Sequence, residues 1–200
     1  MRPAIYQRAI DAFYNNHGYM SFGQLKEAGV TIGQIHELEN MQAIEKISRG
    51  WYWCHDCGWE KPKDYKYIEI CKVYPKAVIC LDSACWLNGL ISREPETVTL
   101  ATDRTDRMKL DFPFGFKRYY LQNAGLDGEI LETHTDFGSY RYYGPERTIC
   151  DVIRMDLKVG RDTYLEVMDL YRSHTDQNMY DRVRCYGEAL RALKNVETQT

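Results

Sequence analysis

Val30 to Trp53 reads VTIGQIHELENMQAIEKISRGWYW, and its patterning changes period partway. Thr31 and Gln34 have capping-box spacing, in which each side chain satisfies an unpaired N–H at a helix start. Ile32, Ile35 and Leu38 then recur at helical spacing, which predicts a buried stripe. From Ala43 the pattern turns strand-like: Ala43 to Ile47 and Trp51 to Cys54 flank Ser48-Arg49-Gly50, a strand, tight turn and strand. Working upstream, Ser21 can cap a short helix with Phe22, Leu25 and Ala28 on one face, closed by Gly29. Before it, Pro3 suits a first helical turn, and Ile5, Ala9, Ile10 and Phe13 carry a helix toward Asn15, Asn16 and Gly18. Two helices joined by a few residues around Gly29 and followed by a hairpin predict a winged helix-turn-helix over residues 1–57.

The rest of the chain sets the frame for that head. Its 200 residues, 44% hydrophobic and 28% charged, are enough for a small domain followed by a medium one. The longest apolar run, Ala77 to Leu81, falls far short of the roughly 20 residues of a membrane span. Arg8 and Asp11 interrupt the N-terminus before a secretory segment could form, so a cytoplasmic location is expected and no membrane partner. Seven cysteines without a framework spacing fit free thiols in a reducing compartment. A linker is read at Cys57 to Lys66, placing the second domain at 58–200. There, strands are expected at Tyr67 to Val73, Thr97 to Thr102, Phe116 to Leu121 and Tyr140 to Tyr143, with an apolar helix at Ala77 to Leu90. Helices at Glu146 to Arg154, Asp162 to Arg172 and Met179 to Val196 close the chain. The fold class is therefore α+β: a winged helix-turn-helix followed by a mixed α/β domain ending in helices.

Three segments in order, GVTIGQIHELENMQAIEKISRGWYW, YPKAVICLDSACWLNGL and YYGPERTICDVIR, resemble the AbiEi-type antitoxins of bacterial type IV toxin-antitoxin and phage-resistance systems. The resemblance covers nearly the whole chain. It implies a head that binds inverted repeats in the operon's own promoter as a repressor, and the head's low positive charge calls in addition for two copies on the DNA. It also implies a C-terminal antitoxin domain that counteracts a co-encoded nucleotidyltransferase-like toxin, directly or indirectly.

With Ile35 at the centre of the buried stripe, steps of about 100° per residue turn Gly33, Glu37 and Asn40 outward, with Gln34 and His36 on the flanks. The candidate DNA-binding residues are thus Ser21, Gln24, Thr31, Gly33, Gln34, His36 and Glu37, with Lys46 and Arg49 on the wing. Related heads often carry lysines where this chain has Glu37 and Asn40. Residues 1–57 hold five cationic residues, Arg2, Arg8, Lys26, Lys46 and Arg49, against six carboxylates, Asp11, Glu27, Glu37, Glu39, Glu45 and Asp56. Nonspecific DNA affinity comes mainly from neutralised phosphates, so such a head alone binds weakly and needs helix-terminus and wing contacts. Glu37 could accept from a cytosine amino group. The competing reading is a winged head kept as a protein-docking module.

Other constellations carry no clear chemistry. Cys54-His55-Asp56-Cys57 has the spacing of half a zinc site without a second pair at finger-like distance, and His17, His36, His55, His134 and His174 are scattered, so no metal is expected. Neither Asp64 to Lys66 nor Asp156 to Lys158 looks like a nuclease site, and no phosphate loop or nucleophile elbow occurs, so no catalytic residues and no cofactor are expected and a degenerate nuclease is the remotest alternative. In Glu146-Arg147-Thr148-Ile149-Cys150-Asp151, Glu146 and Thr148 can serve the start of a helix, and Arg147 and Asp151, four apart, can pair on its surface. The functional reading makes Arg147 and Asp151 part of an antitoxin surface.

Overall fold

The computed structural model describes residues 2–173 and 176–199 and divides into two compact units. Unit 1 comprises Met1–Pro75, Met108–Phe114 and His134–Ser139. It begins with α1 (Pro3–Asn15), β1 (Tyr19–Ser21), α2 (Phe22–Glu27), α3 (Ile32–Asn40), β2 (Ile44–Ser48) and β3 (Trp51–Cys54). Its three strands lie in the order β1-β3-β2, both pairings antiparallel, which is the order of a winged helix-turn-helix with the β2–β3 hairpin as wing. The predicted Thr31–Gln34 capping box forms, and Ser21, expected only to cap its helix, makes a second box with Gln24. The turn between α2 and α3 is set by Gly29, whose φ is +75°: Gly29 N–H reaches the Lys26 carbonyl and Val30 N–H the Leu25 carbonyl, the double bond of a Schellman ending. Phe13, Leu25, Ile35 and Leu38 meet Ile44 in one core, where each fully buried large side chain contributes roughly 1.5–3 kcal/mol. Ile32 departs from the expected stripe: it is the first residue of α3, is 60% exposed, and Val30 is buried in the core instead.

Unit 1 continues past residue 57 with α4 (Tyr65–Val73), where a strand was expected. Tyr67, Ile68, Ile70 and Cys71 are all buried, and positions i, i+1, i+3 and i+4 form one face of a helix as readily as Ile68 and Ile70 form one face of a strand. Gly18 marks the tightest approach in this unit. With φ at +80°, a Cβ added there would lie 2.4 Å from the Trp53 ring, so only glycine fits.

Unit 2 comprises Lys76–Arg107, Gly115–Thr133 and Tyr140–Thr200. Its sheet has the order β6-β5-β4-β8-β7, formed by β4 (Val78–Ile79), β5 (Val98–Ala101), β6 (Phe116–Tyr119), β7 (Ile130–Thr135) and β8 (Gly138–Tyr143). β4 runs antiparallel to β5 and parallel to β8, and β5 runs parallel to β6. The expected helix from Ala77 is instead β4 followed by α5 (Leu81–Leu87). Cys80 N–H donates to the Thr99 carbonyl, while Thr99 Oγ1 donates to the Cys80 carbonyl and Ser83 Oγ accepts from Thr99 N–H, so these residues are consumed by the sheet before α5 begins. The Gly89 and Leu90 ending of α5 is a second Schellman pair.

Four helices follow: α6 (Pro145–Arg154), α7 (Arg161–Ser173), α8 (Gln177–Ala189) and α9 (Leu193–Glu197), with a 3-10 turn at Asp156–Lys158. α6 packs against α5, α7, α8 and α9, and every residue from Arg147 to Ile153 is buried. The expected single helix from Met179 to Val196 is broken by Arg191 at φ +58°. The break folds α9 back onto Gly187, where an added Cβ would come within 3.1 Å of Val196. No helix among the described residues is long and apolar enough to cross a membrane.

Candidate nucleic-acid interface

The wing is short and fastened. The β2–β3 register shifts between Lys46 and Ser48, so Ile47 and Ser48 turn inward while Lys46 and Arg49 stay exposed. Phe22 N–H donates to the Gly50 carbonyl at 2.7 Å, and Ser21 is paired with Trp51 across β1 and β3. The wing turn carrying Arg49 is thereby held beside the start of α2, where Ser21 and Gln24 sit. Those two side chains are already engaged with each other's backbone, and Gln24 Nε2 also donates to Asn16 Oδ1. Thr31 and Gln34 are tied together in the same way.

On α3, Gly33, His36 and Asn40 are exposed and Glu37 is half-buried. His36 Nδ1 lies 3.1 Å from Glu39 Oε2, so the flank of this helix is occupied by an acid-imidazole pair. Gly33 has no steric reason to be glycine, since nothing lies within 4 Å of an added Cβ. Its bare backbone one step inside the helix start lets another molecule approach closely at the end where the helix dipole favours an anion. Apolar side chains lie exposed on the same elements, Phe22 at 38%, Ile32 at 60% and Met41 at 54%.

Arg147 and Asp151 do not lie on a surface, and this corrects the expectation that they pair on the outside of their helix. Both are fully buried. Arg147 Nε donates to Asp151 at 2.9 Å, its Nη1 pairs with Glu129, its Nη2 donates to the Gln122 carbonyl at 2.8 Å, and the guanidinium sits 4.3 Å over the Tyr143 ring. Burial opposes the charge on Arg147, but Asp151, Tyr143 and Glu129 together outweigh it and raise its pKa. Glu129 in turn accepts from Ala124 and Gly125 N–H, and Tyr143 OH donates to Asn123. The cluster organises the segment after β6. Sequence reading missed Glu129 because it lies 18 residues from Arg147 with no periodic signal linking them.

Cys54 and Cys57 are both buried, and Cys57 Sγ donates to the Cys54 carbonyl at 3.3 Å. Burial pushes the Cys54 thiol up to about 12, far from the reactive thiolate range. His17 packs on Trp59 and Phe137, His55 lies 3.5 Å from Glu45, and His174 falls outside the described residues. Among the described residues no three His, Cys, Asp or Glu side chains come together to hold a metal ion.

No protein-family model matches the chain, and no curated protein matches it. Among solved structures, the crystal structure of the RV2827C protein from Mycobacterium tuberculosis is similar, with a TM-score of 0.66 over 98% of this chain and 80% of that one, at 14% identity. At that identity the likeness is one of fold.

Proposed function

We propose that the chain is an antitoxin-like regulator of the AbiEi type, whose winged head reads operator DNA in its own promoter and whose second unit counteracts a co-encoded nucleotidyltransferase-like toxin. The observation that carries the DNA-reading part is the fastening of the Arg49 turn to the start of α2, in a unit whose α3 exposes Gly33, His36 and Asn40 and leaves Glu37 half-buried. The resemblance of three ordered segments, together with a shared fold over nearly the whole chain, supports the regulator assignment. A nucleotidyltransferase-like gene beside this one would support the toxin as partner.

In this reading the start of α3 meets phosphate through its free N–H groups, Lys46 and Arg49 add wing contacts, and Glu37 contributes base choice rather than affinity. With few phosphates neutralised per head, two heads on an inverted repeat supply the binding that one cannot. The purified chain should retard its own upstream promoter fragment more strongly than a scrambled one. Lys46→Gln with Arg49→Gln should reduce the slope of log affinity against log salt by about 1–2. Equal affinity for both fragments at moderate salt defeats the repressor reading. It would favour the second reading, a protein-docking head, for which the exposed Phe22, Ile32 and Met41 are the specific observation.

A further inference from the structure

Unit 2 carries a cleft of about 760 Å³ on one face of its sheet, at the carboxyl ends of the parallel pair β5 and β6. Its floor includes Val78 and Ala101, which are paired across β4 and β5. Lys76 lies in the turn two residues before Val78, Asp103 lies two residues past Ala101, the last residue of β5, and Arg104 follows Asp103. Arg141 precedes Tyr142, the partner of Ile79 across β4 and β8, so it stands beside Val78. Three cations from separate stretches of chain therefore line one concavity. Among the described residues, no side-chain hydrogen bond or ion pair engages Lys76, Arg104 or Arg141, although Lys76 lies near enough to Asp103 to favour its carboxylate.

The single carboxylate of the lining is already engaged. Asp103 Oδ1 accepts from both the N–H and the hydroxyl of Thr105. Three cations against one carboxylate leave an excess of two positive charges, close to the charge of about −1.5 to −2 that a phosphomonoester carries at neutral pH. The lining also offers a ring. Tyr120 is 55% exposed and lies under the Arg118 guanidinium at 5.3 Å, while Arg118 is itself held by Thr102 and the Asp106 carbonyl. Asn123, also in the lining, is fixed by Tyr143, and the buried Arg147 holds the Gln122 carbonyl. This part of the lining is thus anchored from the core, and the cleft has the size of small-molecule sites, about 300–1,000 Å³.

From these features we infer that the cleft binds a mononucleotide, its phosphate toward Lys76, Arg104 and Arg141 and its base on the Tyr120 ring. Charge excess selects the phosphate; an exposed aromatic face in a lining that also holds the fixed Asn123 amide selects a base over a bare anion. A concavity of this volume holds one nucleotide, whereas tracking a nucleic-acid backbone calls for cations strung along a surface.

The test uses the full chain and isothermal titration with the four common nucleoside monophosphates, adenosine and inorganic phosphate. At least one monophosphate should bind saturably, with phosphate weaker and adenosine weaker still. Lys76→Gln combined with Arg141→Gln should weaken the nucleotide at least tenfold. Tyr120→Ala should weaken nucleotide but not phosphate, and Tyr120→Phe should restore it. These side chains are at least partly exposed, and unchanged melting of each variant without ligand shows that the fold is kept. Absence of saturable binding up to about 1 mM, equivalent to about 4 kcal/mol, overturns the inference. So does phosphate binding as tightly as nucleotide with no effect of Tyr120→Ala. If the charge variants instead release duplex DNA and leave nucleotide affinity unchanged, the cleft belongs to a nucleic-acid surface and the proposal fails.

Discussion

Glu69 shows how much one buried group can bias a fold. It is fully buried on α4, accepts from Tyr19 OH at 3.2 Å and pairs with Lys61 at 2.7 Å through the same oxygen. Its second oxygen has no hydrogen-bond partner among the described residues. Burial raises its pKa to about 7, and the Lys61 and Tyr19 contacts only partly oppose that rise. The folded chain therefore keeps a proton that the unfolded chain releases near 4.5. Stability from this group is fully present below pH 4.5 and is lost as pH rises toward 7, at about 1.4 kcal/mol per unit inside the window. Glu69→Gln removes the titration. Urea melts at pH 4.5, 6 and 8 should show the variant gaining on the wild type across that range and then holding level. A difference that stays constant with pH means that Glu69 ionises as an ordinary carboxylate.

At the level of elements, the helix ends follow one device with different residues. Gly29, Gly89, Gln42 and Arg191 all occupy the left-handed position after a helix, each with the paired Schellman bonds. The non-glycine cases carry a left-handed cost of roughly 1–2 kcal/mol, against roughly 0.5–1 kcal/mol of extra chain entropy for glycine. Arg191 is exposed, so Arg191→Gly should raise stability by about 0.5–1 kcal/mol, read as a higher urea midpoint with an unchanged slope. A lower midpoint means that its side chain holds the α8–α9 turn. The same contrast explains what the sequence could and could not reveal. The Thr31–Gln34 capping box, the Ser21 cap and the Gly29 turn are legible because their bonds span only a few residues, whereas Arg191 carries no turn signal and leaves the last helix read as unbroken. α4 was misread because Tyr67, Ile68, Ile70 and Cys71 suit either period and are strand formers by type. On α3, the exposure of Gly33 and Asn40 follows from helical phase, whereas Glu37, expected outward, is half-buried. The burial of Arg147 does not follow from phase, because it depends on Glu129, Gln122 and Tyr143 from other parts of the chain.

Over the whole molecule, the head is larger than its motif. Compact unit 1 takes in α4 and the segments 108–114 and 134–139, beyond the boundary at 57 that the linker composition suggested. Residues 58–75 cover aromatic rings of the first sheet: Lys72 lies 5.0 Å over Tyr19 and 5.3 Å over Trp51, Lys61 lies 5.8 Å over Trp53, and Glu69 takes the Tyr19 hydroxyl. Phe137 adds a further ring beside Trp53 and Trp59. A fragment ending at Cys57 keeps the α1–α3 core and the wing but exposes Tyr19, Trp51 and Trp53 on one side of a three-stranded sheet. That is a loss of several large aromatic contacts from a piece already near the lower size limit for a stable core. The fragment 1–57 should therefore melt well below the full chain, bind a hydrophobic dye and fail to retard promoter DNA that the full chain retards, although it contains every residue assigned to the interface. If it instead folds cooperatively with comparable stability and retains promoter affinity, α4 and the two later segments are dispensable to the head and the smaller boundary is the physical one.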